Sequence, residues 1–161
     1  MIRARILLAA LAGASLASPS PAQFRQQQQQ PQRVQPKLVG IDAMRAEFIA
    51  VSGGDTVLFG GSSVLLGAPA KAILMRQAAW LRRHPAILVG IEGHAEAADT
   101  RDHALAIGAR RAEEVRDFLI LLGVPAAQLT ATSWGKERVV VAGDNEAAFA
   151  ANRRVQTVLM R

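Results

Sequence analysis

An α/β sandwich, one mixed sheet backed by helices in the order βαβαββ, is what this chain predicts. Runs rich in β-branched residues alternate with longer stretches whose apolar residues recur every three or four positions. Gly and Pro fall at the joints between them. Half of the 161 residues are hydrophobic, enough for one packed domain plus accessory segments. Aromatics make up only 4%, so the expected core is built from Ala, Val, Leu and Ile.

The regular signals begin near Leu38. Glu47 to Val51 and Thr56 to Phe59 read as strands, split by Gly53-Gly54-Asp55 in the manner of a hairpin. Gly60-Gly61-Ser62-Ser63 breaks the second strand. Pro69 suits a helix start, where its missing N–H costs nothing. Ala70, Ile73, Leu74, Gln77 and Leu81 then share one helical face, and His84-Pro85 ends the helix. Ala86 to Glu92 is a nearly continuous apolar run, as in a strand covered on both sides.

A loop from Gly93 to Asp99 leads to the longest helix, along which Leu105, Gly108, Ala112, Val115, Leu119 and Leu122 align. Gly108 within that stripe suggests close approach to the sheet, since Gly in a helix interior costs about 1 kcal/mol relative to Ala. Gly123 supplies the stop. Pro125 to Leu129 reads as a short helical turn and Thr130 to Trp134 as a strand. Asp144 or Asn145 can cap a helix to about Ala151, and the last strand spans Arg154 to Met160.

Before the domain come two segments of another kind. Residues 1–22 read as a secretory signal. Arg3 and Arg5 precede a mainly apolar run from Ile6 to Ala17, and Ser20-Pro21-Ala22 offers small residues for cleavage. That run is short of the roughly 20 residues needed to span a bilayer, which weighs against an uncleaved anchor helix. Residues 23–37 (QFRQQQQQPQRVQPK) cannot bury enough surface to offset their ordering and read as a disordered linker. The domain is expected over 38–161, in the periplasm. No Cys occurs, which removes disulfides, thiolate metal sites and a cysteine-borne lipid anchor. The formal charge of +6 falls to +4 once Arg3 and Arg5 are subtracted, too mild and too scattered for a nucleic-acid binder.

Five stretches carry a resemblance. They are Asp55-Thr56-Val57-Leu58-Phe59, Ile91-Glu92-Gly93-His94-Ala95-Glu96, Gly108-Ala109-Arg110-Arg111-Ala112 with Val115, Ser133-Trp134-Gly135-Lys136-Glu137-Arg138, and Asn152-Arg153-Arg154-Val155. In order and spacing they resemble the OmpA-like family, in particular its peptidoglycan-associated lipoprotein branch. The resemblance implies a non-catalytic periplasmic domain that binds the diaminopimelate stem peptide of peptidoglycan and serves envelope integrity. Tol-type envelope proteins are the protein partners it implies, and it implies no cofactor.

Such a ligand offers an ammonium and a carboxylate close together, so its site needs an acid and a base. Arg is suited to the carboxylate because it can donate two parallel hydrogen bonds. The resemblance places the acid at Glu96 and the base at Arg111, with Thr100 retained and Ile107 as an apolar wall. It also marks departures. The family acid is normally Asp, and the extra methylene of Glu96 shifts its carboxylate by roughly 1 Å. Ser62 stands where a second acid is expected, Ala104 where Asn is usual, and Ala98 where an Arg is common.

Each residue also has a plainer reading. Arg111 could be a helix-surface arginine and Glu96 a solvated loop acid. His94 fits a hydrogen bond that positions the loop better than a metal ligand, and Asn152 and Arg153 fit bracing of the last helix against the sheet. No nucleophile elbow surrounds Ser62 or Ser133. Glu96 and Asp99 lack an aromatic sugar platform, so an enzyme is not expected. A second function remains in view: a protein-interaction module that no longer binds the wall. A charged pocket beside Arg111 separates it from the first, whereas Leu65 and Leu66 filling that space would favour it.

Overall fold

The computed structural model describes residues 40–160. The expected secretory signal and the Gln-rich linker lie outside the described residues. The elements are α1 (Ile41–Ser52), β1 (Thr56–Leu58), α2 (Ala68–Leu81), β2 (Leu88–His94), α3 (Arg101–Leu121), a 3-10 turn (Ala126–Gln128), β3 (Leu129–Gly135), α4 (Glu146–Asn152) and β4 (Arg154–Met160).

The strands form one mixed sheet in the order β1-β4-β2-β3. β4 runs antiparallel to both β1 and β2, while β2 and β3 are parallel. A parallel pair needs a long crossover, and α3 supplies it. Val57, Val89, Ile91, Val155 and Leu159 of the sheet pack with Leu74, Ala78 and Leu81 of α2 and Ala112, Val115 and Leu119 of α3. The mixed α/β architecture is the expected one.

One expected hairpin is absent. Residues 41–52, whose second half reads as a strand, form α1 instead. Phe48 is buried and meets Trp80 edge-on, with ring centroids 5.2 Å apart. Trp80 Nε1 donates to Glu47 Oε1 at 3.0 Å. Met44 and Ile41, one and two turns earlier, pack against the same core. Fully burying a side chain such as Phe is worth about 1.5–3 kcal/mol, more than the weak strand preference of Phe48 to Val51. Gly53 adopts φ 81 and its N–H donates to the Ile49 carbonyl, so the glycines stop a helix rather than turn a hairpin. Trp80 and Phe48 also overturn the expectation of a purely aliphatic core: they are among the largest fully buried side chains.

β2 runs on through Gly93 and His94, where a loop is expected. Nor is it covered on both faces, because Val89 and Ile91 enter the core while Leu88 is exposed. The expectation for Gly108 holds. A Cβ on Gly93 would lie 1.9 Å from the Gly108 carbonyl oxygen, and one on Gly108 would lie 2.4 Å from Ser133 Oγ. The long helix therefore rests on the sheet backbone to backbone. Asn145 caps α4 by accepting from the Ala148 N–H at 3.0 Å.

Candidate functional site

β2 and α3 meet at the edge of the domain, and the segment after β1 folds over their junction. Arg111, three residues beyond Gly108, is drawn inward by the close helix–sheet contact and is only 1% exposed. Its Nε donates to the Ser63 carbonyl at 3.0 Å, Nη1 to the His94 carbonyl at 3.2 Å and Nη2 to the Gly61 carbonyl at 2.6 Å. The Phe59 ring centroid lies 5.3 Å from the guanidinium carbon. Arg111 is thus no surface arginine, unlike its exposed neighbour Arg110.

Three of its five N–H groups are committed to backbone, and no carboxylate pairs with it among the described residues. Burial lowers its pKa from the usual arginine range, with repulsion from Arg153 adding and Glu96 and Asp99 opposing. Arg remains charged at neutral pH regardless.

A small open recess, with about 30 Å³ of cavity volume, lies against this guanidinium, lined by Gly61, Ser62, Glu96, Asp99, His103, Ile107, Arg111 and Arg153. Four of the five expected site residues (Ser62, Glu96, Ile107 and Arg111) come together there. Thr100 does not line it. Its hydroxyl caps α3 by accepting from the His103 N–H at 3.3 Å, and so fixes the helix end that carries His103 and Ile107. Ala104 is buried with Ala95 and Ile107 in a small apolar cluster, a setting with no demand for a polar side chain. Leu65 and Leu66 do not fill the recess: Leu65 is 73% exposed and Leu66 joins the main core.

Three expectations change here. Arg153 does not merely brace the last helix. It lines the recess and donates through Nη1 to Glu96 Oε2 at 2.5 Å and through Nη2 to Glu146 Oε1. Asn152 fastens a loop instead: its Oδ1 accepts from the Val140 N–H at 2.8 Å, and its Nδ2 donates to the Val141 carbonyl. His94 makes no loop-positioning hydrogen bond, for neither ring nitrogen has a partner and the side chain is buried. The Glu96 loop is held from the other side, by Lys136 Nζ donating to the Asp99 carbonyl at 2.6 Å.

The pKa of His94 is lowered to about 4, first by burial and then by repulsion from Arg154 and Arg138. The unfolded chain takes up this proton near pH 6.5 and the folded one only near pH 4. Stability contributed by the neutral ring is therefore complete above pH 6.5 and drains away as pH falls towards 4. We expect urea denaturation to show a loss of about 2–3 kcal/mol between pH 7.5 and 4.5. His94→Gln should flatten that slope, and an equal slope in both proteins would place the sensitivity elsewhere.

A model of the OmpA family matches residues 58–153. The chain belongs to the OmpA family. Its membership agrees with the motifs, and α1 lies before the matched residues. The peptidoglycan-associated lipoprotein of Agrobacterium fabrum is 44% identical over 109 residues, covering 68% of this chain and 62% of that protein. Its counterpart in Brucella melitensis is 43% identical over 109 residues, 68% of this chain and 65% of that protein. The chain thus spans under two thirds of the length of these two relatives. The crystal structure of the peptidoglycan-associated lipoprotein from Burkholderia pseudomallei has a TM-score of 0.65 at 38% identity, covering 67% of this chain and 92% of that one. The C-terminal domain of Helicobacter pylori MotB reaches 0.62 at 21% identity over 66% of this chain and 84% of its own, a likeness of fold alone.

Proposed function

We propose that this OmpA-family chain is a non-catalytic, periplasmic binder of peptidoglycan that takes the free ammonium–carboxylate end of a diaminopimelate stem peptide into the recess. One observation carries the reading. Arg111 is a buried cation, held by main-chain oxygens alone, with two N–H groups uncommitted beside an open recess. A carboxylate there supplies the charge partner that a buried guanidinium lacks. Glu96 and Asp99 at the rim supply acids for the ammonium. The names of the Agrobacterium, Brucella and Burkholderia relatives support the same ligand class.

Bulk charge does not explain wall binding by the domain. Thirteen basic and thirteen acidic side chains lie between residues 40 and 160, so this part is formally neutral. The excess resides in Arg3, Arg5, Arg25, Arg33, Lys37 and Arg161. Salt-sensitive adhesion is accordingly assigned to the N-terminal segment, and ligand-specific adhesion to the recess.

The test is co-sedimentation of the full chain with diaminopimelate-type sacculi, with and without free diaminopimelate as competitor. Binding that the free amino acid competes away is expected. Glu96→Gln keeps the shape and removes the charge, and should weaken that binding roughly tenfold or more, as for loss of a hydrogen bond to a charged group. One feature favours a second reading, a protein-interaction module with a Tol-type envelope partner: Glu96 already holds Arg153. No sedimentation, or only a salt-sensitive part that ignores the competitor, would overturn wall recognition by the recess and leave that module as the reading.

A further inference from the structure

We propose that Glu146, a residue outside the recess, sets its preference for an ammonium-bearing ligand by sharing Arg153 with Glu96. The inference rests on the reading above, that the recess takes an ammonium–carboxylate end. Arg153 sits at the junction of α4 and β4 with its side chain only 8% exposed, and its two terminal nitrogens are divided between two carboxylates. One of these, Glu96, lines the recess, whereas the other stands in the first turn of α4 and does not.

The charges make the consequence specific. Glu96, Arg153 and Glu146 together carry one negative charge, while Arg111 and Asp99 cancel. With Glu146 present, the recess and its immediate support are net negative and favour a cationic group beside Glu96. Without that charge the set is neutral, and the whole of the Arg153 cation falls on Glu96. The bond to Arg153 keeps the Glu146 carboxyl below its usual titration range, so the arrangement is ionised at neutral pH. The Glu146 side chain is 77% exposed, and removing its charge leaves the core packing untouched. Glu146 is a positioning residue, acting on ligand only through Arg153.

The experiment is isothermal titration of the full chain with two probes, diaminopimelate and pimelate, which share the carboxylates but differ in the ammonium groups. Glu146→Gln is expected to weaken diaminopimelate roughly three- to fivefold, the effect of one charge across several ångströms of solvent-exposed protein, and to tighten pimelate by a similar factor. Asp117→Asn, an acid near the far end of α3, should move neither. Affinities that shift in the same direction for both probes mean a structural role and overturn the proposal, as does no shift at all.

A wild type that binds no diaminopimelate overturns the reading of the recess and this tuning with it. The bridge itself is judged without ligand, by nitrogen-15 NMR of the Arg153 side chain. Separate Nη1 and Nη2 signals in the wild type, averaging in Glu146→Gln, are expected. Unchanged signals overturn the sharing even where ligand binds.

Discussion

Gly93→Ala is expected to lower stability by at least ~3 kcal/mol, at the upper end of overpacking effects. The added methyl would sit 1.9 Å from the Gly108 carbonyl oxygen and 2.7 Å from its carbon. Both are backbone atoms, so no rotamer change relieves the clash, and α3 must lift from the sheet or β2 must bow. Domains of this size commonly have only ~5–15 kcal/mol in hand. Urea denaturation followed by circular dichroism checks the prediction, with Gly90→Ala beside it. Three positions earlier in the same strand, and so on its other face, a Cβ at Gly90 meets nothing closer than Met160 Sδ at 3.6 Å. That variant should stay within about 1 kcal/mol of wild type. Equal midpoints for the two variants would mean that the helix–sheet contact is looser than described.

Arg111→Met is expected to destabilise the domain by roughly 3–5 kcal/mol, the usual consequence of breaking a buried, hydrogen-bonded charge site. Three carbonyls, at Gly61, Ser63 and His94, would lose their donors together. Two belong to the segment after β1, so the damage should be local as well as global. Hydrogen exchange ought to report early opening over residues 60–66. Arg111→Lys keeps the charge, but a single ammonium cannot span all three oxygens, and partial rescue is expected. Unchanged exchange over 60–66 in Arg111→Met would show that the segment is held by other contacts. Because Arg111 holds this segment as well as facing the recess, loss of binding in an Arg111 variant would not isolate the ligand contact proposed for it. Glu96→Gln is the cleaner probe.

Much of the fold was legible because local and tertiary preferences agree. The stripe along α3, the Asn145 cap, the last strand from Arg154 and the glycine inside the long helix all signal their roles within a few residues. α1 departs from its local signal because its deciding contact is distant. Phe48 and Glu47 are fixed by Trp80, more than thirty positions on, while the local run Phe48 to Val51 resembles a strand.

The site divides in the same way. Arg111 and Glu96 were found through motif resemblance, and periodicity alone places neither in a recess. Arg153 reads in sequence as a brace because nothing near it announces a carboxylate partner. Glu96 lies fifty-seven positions earlier, and only the pairing of β4 with β1 and β2 brings them together. A signal was nevertheless present, since an Arg pair opening a strand beside a capped helix is an unusual place for two charges. His94 gave no such clue, because its isolation arises from burial at the end of β2.

The way Arg111 is tethered has a consequence for how this surface tolerates change over generations. Carbonyl oxygens are supplied by every residue type, so no substitution at positions 61, 63 or 94 deletes the acceptor itself. Apart from Gly61, whose φ of 48° disfavours any side chain, the hold on the guanidinium is therefore insulated from drift in its neighbours' side chains. The anionic half enjoys no such protection, being made of carboxylates that one codon change removes or lengthens. Ser62, Glu96, Ala98 and Ala104, the positions at which the motif resemblance marks departures, all lie outside the set of atoms that grips the guanidinium. On the proposed reading, ligand preference in such a scaffold can vary one acid at a time while the guanidinium stays where it is.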